Sequence, residues 1–201
     1  MKYDSDCFLP ESERQNGPNQ RMKKRIADTI LRVFKWKVTD QVGNIPKCGI
    51  CVAPHTSNFD LFLGQLTYAH LGRKASFLMK KSWFFFPLGN FFRAIGGIPV
   101  DRSKNNSLTQ QIAEEFAKRQ EFHIAITPEG TRKRNPEWKK GFYFIAKEAG
   151  VPILLAAIDY DTRNIEFRKL FVPTGNVDAD IDEIKKYYAD ISGRHPEKFA
   201  L

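Results

Sequence analysis

Apolar and polar positions follow two alternating periods along most of this chain. From residue 46, "KCGICVAP" reads as a short buried strand. "SNFDLFLGQLTYAHLG" reads as a helix, with Ser57 as N-cap, Asp60 in the capping-box position and Gly72 as its stop. "ASFLMK" and "IGGIPV" are expected strands on either side of an aromatic segment. "SLTQQIAEEFAKRQ" is an expected helix capped by Ser107, followed by the strand "FHIAIT". "KKGFYFIAKEAG" reads as a helix ended by Gly150, "VPILLAAI" and "NIEFRKLFV" as strands, and "DADIDEIKKYYADISG" as the last helix. Strands alternating with helices predict a single α/β domain with a mixed, largely parallel β-sheet flanked by helices. No internal repeat or linker divides it.

The first part of the chain differs. Residues 1–20 are polar, contain Pro, Gly and Asn, and are expected to form a flexible N-terminus. Residues 21–44 are expected to hold a basic amphipathic helix and a connector, and residues 45–201 the folded domain. In "RMKKRIADTILRVFKWKV", Met22, Ile26, Ile30, Val33 and Phe34 recur at helical spacing, with Lys24, Arg25, Arg32 and Lys35 on the opposite side. Seven basic residues stand against the single acid Asp28 between residues 21 and 37. Two readings stay open: a surface helix packed on the domain, or an interfacial helix lying on anionic lipid.

Composition sharpens the choice of partner. The 201 residues suffice for one domain with a proper core. A formal net charge of +9 favours an anionic partner: nucleic acid, a membrane surface, or a phosphorylated or acidic carrier substrate. Cys7, Cys48 and Cys51 make no disulfide framework, and "MKYDSDCFLPESERQNG" lacks the apolar core of a signal peptide, so a cytoplasmic location is expected. "CGIC" has no second Cys pair or His pair to answer it; no metal site is expected. No run approaches the roughly 20 apolar residues of a membrane-spanning helix.

Candidate chemistry gathers where expected strands end. In "PHTSNFD", His55 and Asp60 lie five positions apart. An imidazole, with an ordinary pKa of about 6.5, suits general-base work, and a carboxylate can fix its tautomer. The same residues also suit a simple turn with Asp60 capping the helix. "GGIPVDRS" ends another strand with Asp101 and Arg102, and "TPEGTRKR" a third with Glu129, Gly130, Thr131 and Arg132. Carboxyl ends of neighbouring strands gather at one sheet edge, where ligands bind. The guanidinium fork of Arg102 or Arg132 suits phosphate.

With "HTSNFD", "GGIPVDR", "PEGTR" and "VPI" in this order, the chain resembles the glycerolipid acyltransferases, typified by 1-acylglycerol-3-phosphate acyltransferases, over roughly residues 45–175. The resemblance implies that His55 is the general base for an acceptor hydroxyl and that Asp60 orients it. It implies that Arg102, Glu129, Gly130, Thr131 and Arg132 bind the acceptor. The acyl donor would be an acyl carrier protein or coenzyme A thioester, with no metal or redox cofactor, and the acceptor a lysophosphatidate or related lysolipid. The enzyme would sit peripherally on an anionic membrane surface, the inner face of the cytoplasmic membrane. Trp83, Phe84, Phe85, Phe86, Phe91 and Phe92 would contact that membrane or the acyl chain. Pro99 stands where such proteins often carry an aromatic, and "AAI" follows "VPILL", which leaves other acceptors, such as an ornithine-type lipid, open. Competing readings are a non-catalytic membrane-bound scaffold of the same fold and a basic nucleic-acid module. The first predicts a damaged H-x4-D; the second lacks any recognisable nucleic-acid-binding signature.

Overall fold

The computed structural model describes residues 18–100 and 108–201. One seven-stranded sheet organises it: β1 (Lys37–Asp40), β2 (Lys47–Ala53), β3 (Ser76–Lys80), β4 (Gly97–Val100), β5 (Phe122–Ile126), β6 (Ile153–Asp159) and β7 (Asn164–Phe171), in the order β1-β7-β6-β2-β5-β3-β4. Strands β2 to β6 are mutually parallel, whereas β7 runs antiparallel to β6 and parallel to β1. Six α-helices flank it among the described residues: α1 (Pro18–Val33), α2 (Phe59–His70), α3 (Leu88–Ala94), α4 (Leu108–Lys118), α5 (Gly141–Ala149) and α6 (Val177–Lys186). This is the mixed, largely parallel α/β sheet that the alternation predicts.

Strand β6 shows why the sequence folds this way. All its residues are buried, which is what an uninterrupted "ILLAAID" requires at the sheet centre. Ile153, Leu155 and Ala157 face Phe116 of α4, Phe142 and Ile145 of α5, and Ile184 of α6. Leu154 and Ala156 point the other way, with Ile50 and Tyr68, and Ile158 joins Leu31 of α1 and Leu63 of α2. Each such Ile, Leu or Phe side chain contributes roughly 1.5–3 kcal/mol by leaving water, so the helices are clamped on both faces. Cys48 and Cys51 belong to opposite faces of β2, and burial pushes both thiols up to about 12. They are core residues, not a thiolate pair.

Helix α1 differs from a simple packed helix. It buries Ala27 and Leu31, and Asp28 bonds His70 of α2 at 2.6 Å. Its larger apolar residues turn outward: Met22, Ile26, Val33 and Phe34 are 52–67% exposed. The helix ends at Val33, within the basic stretch that runs on to residue 37. Lys35 takes a left-handed φ of 58°, Trp36 N donates to Leu31 O, and the chain turns into β1. The expected connector thus contains an edge strand, paired with β7 from Lys37 to Asp40.

The aromatic segment after β3 holds the short helix α3, which hydrophobic spacing does not reveal. Phe84 and Phe92 pack on each other with ring centroids 6.0 Å apart, while Trp83, Phe85, Phe86 and Phe91 are exposed. Because β2, β3, β5 and β6 are parallel, the segments that follow them leave from one edge of the sheet. Asp101, Arg102 and Ser107, in the segment that follows β4, lie outside the described residues, as do the first 17 residues.

Candidate active site

Strand β2 ends at Ala53, and residues 54–58 form the turn into α2. Asp60, in the first turn of that helix, reaches back into this turn. Its Oδ2 accepts hydrogen bonds from Thr56 N at 3.0 Å, Ser57 N at 2.9 Å and the His55 ring Nδ1 at 3.1 Å. An ionised carboxylate only accepts, so Nδ1 carries the proton and Nε2 keeps its lone pair. The His55 side chain is 19% exposed and that of Asp60 2%. Closing the turn and orienting the ring are therefore one arrangement, with Asp60 doing both. Ser57 does not occupy the N-cap position, which falls to Asn58; its Oγ instead accepts from Phe59 N at 3.1 Å.

The turn after β5 braces the same histidine from behind. Glu129 Oε1 accepts from His55 N at 2.6 Å, and its side chain is wholly buried. Burial raises its pKa, against the lowering effect of that hydrogen bond and of His55. Its Oε2 has no hydrogen-bond partner among the described residues. Gly130 follows with φ at +65°, and the Lys139 side chain lies against it, so a Cβ there would sit 2.7 Å from Lys139 Cδ. Arg132 Nη1 bonds Asn58 Oδ1, which ties the two turns together. Thr131 Oγ1 accepts from Lys133 N within its own turn.

His55, Asp60 and Arg132 line one cavity of about 560 Å³ between α2 and the sheet. Its walls are apolar, with Ile50, Val52, Phe77, Ala156, Ile158 and Phe167 among them. None of the six aromatic residues from Trp83 to Phe92 lines it. An alkyl chain fits such a lining, and His55, Asn58, Asp60 and Arg132 gather polar groups at one end of it.

Two comparisons bear on this geometry. The model of the acyltransferase family matches residues 37–159, more than half of the chain. This protein belongs to the acyltransferase family. The crystal structure of the 1-acyl-sn-glycerophosphate (LPA) acyltransferase, PlsC, from Thermotoga maritima is similar, with a TM-score of 0.59 over 94% of this chain and 87% of that one. At 18% identity that likeness speaks for the shared fold. A comparison with curated proteins finds no match.

In this acyltransferase-family protein, the expected residues fall into three groups. His55, Asp60 and Arg132 meet at the cavity. Glu129, expected to bind the acceptor, is turned inward to the His55 backbone and does not line the cavity; a backbone N–H taken out of water needs an acceptor, and this carboxylate supplies it. Arg102 lies outside the described residues. Four backbone N–H groups at the helix start are engaged: His55 with Glu129, Thr56 and Ser57 with Asp60, Phe59 with Ser57.

Sequence reading missed Tyr160, which directly follows β6 and whose hydroxyl donates to Asp60 Oδ1 at 2.6 Å. It also missed Thr56, buried, whose Oγ1 accepts from His195 N at 3.1 Å and so fastens the turn to the C-terminal segment. The available signal for Tyr160 was the one that found the others: a polar group at the carboxyl end of a central strand.

Glu129 yields a stability test. Its raised pKa means that, between about 4.5 and the raised value, the unfolded chain holds fewer protons at this site than the folded one. Stability is therefore lost as pH rises through that window. Glu129→Gln keeps an acceptor for His55 N and removes the buried charge. Its Tm at pH 7.5 is expected to exceed wild type by about 2–4 °C, the effect of roughly 1 kcal/mol in a domain of this size. The gain should vanish by pH 4, as read by calorimetry.

Proposed function

We propose that this protein transfers a fatty acyl group from an acyl carrier protein or coenzyme A thioester to the hydroxyl of a lysophosphatidate or related lysolipid. The observation that carries the reading is that an oriented imidazole and a guanidinium open onto the polar end of one apolar cavity. The acyl chain lies along the Ile50, Ala156 and Phe167 walls, bringing its thioester carbonyl to His55. Arg132 takes the anionic head group of the acceptor.

His55 Nε2 accepts the proton of the acceptor hydroxyl as that oxygen bonds to the carbonyl carbon. Asp60 stabilises the imidazolium that forms, since Nδ1–H already points at its Oδ2. The tetrahedral intermediate collapses, the C–S bond breaks, and the thiolate takes the proton from Nε2 to leave as thiol. The new ester stays on the lipid. No acyl-enzyme forms, and no step calls on a metal or redox group.

A lipid acceptor implies a lipid surface. The outward stripe Met22, Ile26, Val33 and Phe34 lies beside the exposed Arg25 and Arg32, a pattern that suits the headgroup layer of an anionic bilayer. Trp83, Phe85, Phe86 and Phe91 would add an aromatic wedge at the carboxyl edge of the sheet. No helix among the described residues is long and apolar enough to cross a membrane. Attachment at the inner face of the cytoplasmic membrane would be peripheral.

Four measurements test this. With lysolipids and both thioester donors, His55→Ala is expected to cut turnover at least about 1,000-fold, with the far-UV circular dichroism unchanged; undiminished turnover refutes the mechanism. Arg132→Ala should raise the acceptor KM about tenfold for phosphate-bearing lysolipids and leave neutral ones alone. Ala156→Phe should move donor preference to shorter chains by filling the cavity, read by mass spectrometry of the products. On vesicles with anionic lipid, Ile26→Glu with Val33→Glu should weaken sedimentation binding at least about tenfold.

A further inference from the structure

Asp60 has two oxygens, and the dyad uses one. Oδ2 takes the His55 ring and two backbone N–H groups. Among the described residues Oδ1 takes a single donor, the Tyr160 hydroxyl at 2.6 Å, from a residue 100 positions away. Several contacts fix that phenol. Tyr160 N donates to Ser192 O at 2.9 Å, and Trp36 packs edge-on against the ring with centroids 5.1 Å apart. Burial, and then the bond to Asp60, hold the hydroxyl above its usual pKa, so it remains a donor throughout the working pH range. Tyr160 lies one position beyond the residues matched by the family model.

We infer that Tyr160 is a positioning residue for acyl transfer: its hydroxyl orients the Asp60 carboxylate and sets how strongly that carboxylate holds the His55 imidazolium. The inference rests on the proposed role of His55 as general base. A carboxylate with Oδ1 bonded shares its charge between two sets of donors, and Oδ2 is then a weaker acceptor toward His55. Without the phenol two things follow. The carboxylate gains a rotational freedom it now lacks, and its charge concentrates on the imidazole. The first slows turnover; the second makes the imidazolium harder to deprotonate. Tyr160 touches neither substrate nor the reacting atoms, so substrate affinity is untouched.

Other charged groups face this cluster from different elements. They are Glu129 on the turn after β5, Arg132 on the same turn, and Arg194 on the C-terminal segment, whose charge acts on Tyr160. None is altered when the hydroxyl is removed.

The test compares wild type with Tyr160→Phe as full-length proteins. Turnover against pH is followed with lysophosphatidate and an acyl thioester, and the His55 ring is titrated by NMR, its signal assigned by its loss in His55→Ala. The folded Phe variant is expected to show kcat lowered roughly three- to tenfold with KM within about twofold. The acid limb of its kcat profile and the His55 titration midpoint should both rise by roughly half a pH unit. A folded variant whose profile and titration coincide with wild type overturns the inference, as does a loss of activity that tracks Tm alone. Should Tyr160→Phe not fold, fluorotyrosine at position 160 carries the test. Its more acidic phenol donates more strongly, so the midpoint must fall, and an unmoved midpoint overturns the inference. Because the titration needs no substrate, a wild type without acyl transfer but with the expected NMR shift would refute the proposed function and leave the Tyr160–Asp60–His55 coupling standing.

Discussion

One buried carboxylate holds this site together. Where β2 leaves the sheet, the chain must reverse into α2, and the turn exposes a run of backbone N–H groups with no strand to receive them. Asp60 answers two of them, the His55 ring and the Tyr160 hydroxyl at once. Left unpaired, each buried donor would cost about 1–3 kcal/mol. A charge this buried is itself costly unless surrounded by donors, and four surround it. The need to close a turn and the need to orient an imidazole are met by the same two oxygens. A substitution at Asp60 therefore disturbs fold and chemistry together, which makes Tyr160 and Glu129 the better places to separate them.

Sheet order supplies the rest. β2 lies between β5 and β6, so the residues that follow these neighbours are the ones that reach the dyad: Glu129 bonds His55 from one side, Tyr160 bonds Asp60 from the other. The parallel arrangement puts all three carboxyl ends on one edge, and α2 then roofs a cavity that opens at that edge. Imidazole, brace and apolar chamber thus follow from one topology.

Legibility in the sequence follows from locality. β6 announces itself by an unbroken apolar run, and α5 by its apolar face and the stop at Gly150, with φ at +64°. β1 was illegible because "KVTD" is a half-exposed edge strand of four residues, and because Lys35, not a glycine, takes the left-handed turn before it. The outward face of α1 was undecidable because periodicity says which residues share a side, never which side is buried. At the site, His55 and Asp60 were readable together because a short turn joins them. Tyr160 and Glu129 lie 100 and 74 positions from their partners. Only strand order, which hydrophobic patterning leaves undetermined, brings them close.

The cavity completes the physical case. A sealed apolar void of about 560 Å³ would, at roughly 24 cal/mol per Å³, cost on the order of 10 kcal/mol, comparable with the entire stability of a domain. Water entering through the mouth lowers that figure but gains little from walls such as Ile50, Val52, Phe77 and Phe167, which offer it no hydrogen bonds. The core packs densely on the opposite face of the sheet, around Phe116, Phe142 and Ile184, so the sequence is able to fill space where nothing else is meant to occupy it. Small residues stand instead on the cavity side, Gly64, Ala125 and Ala156, and a Cβ added at Gly64 would meet no atom within 4 Å. A long alkyl group would recover the missing contacts on entering, and under the proposed function its terminal carbonyl would stand at the His55 end.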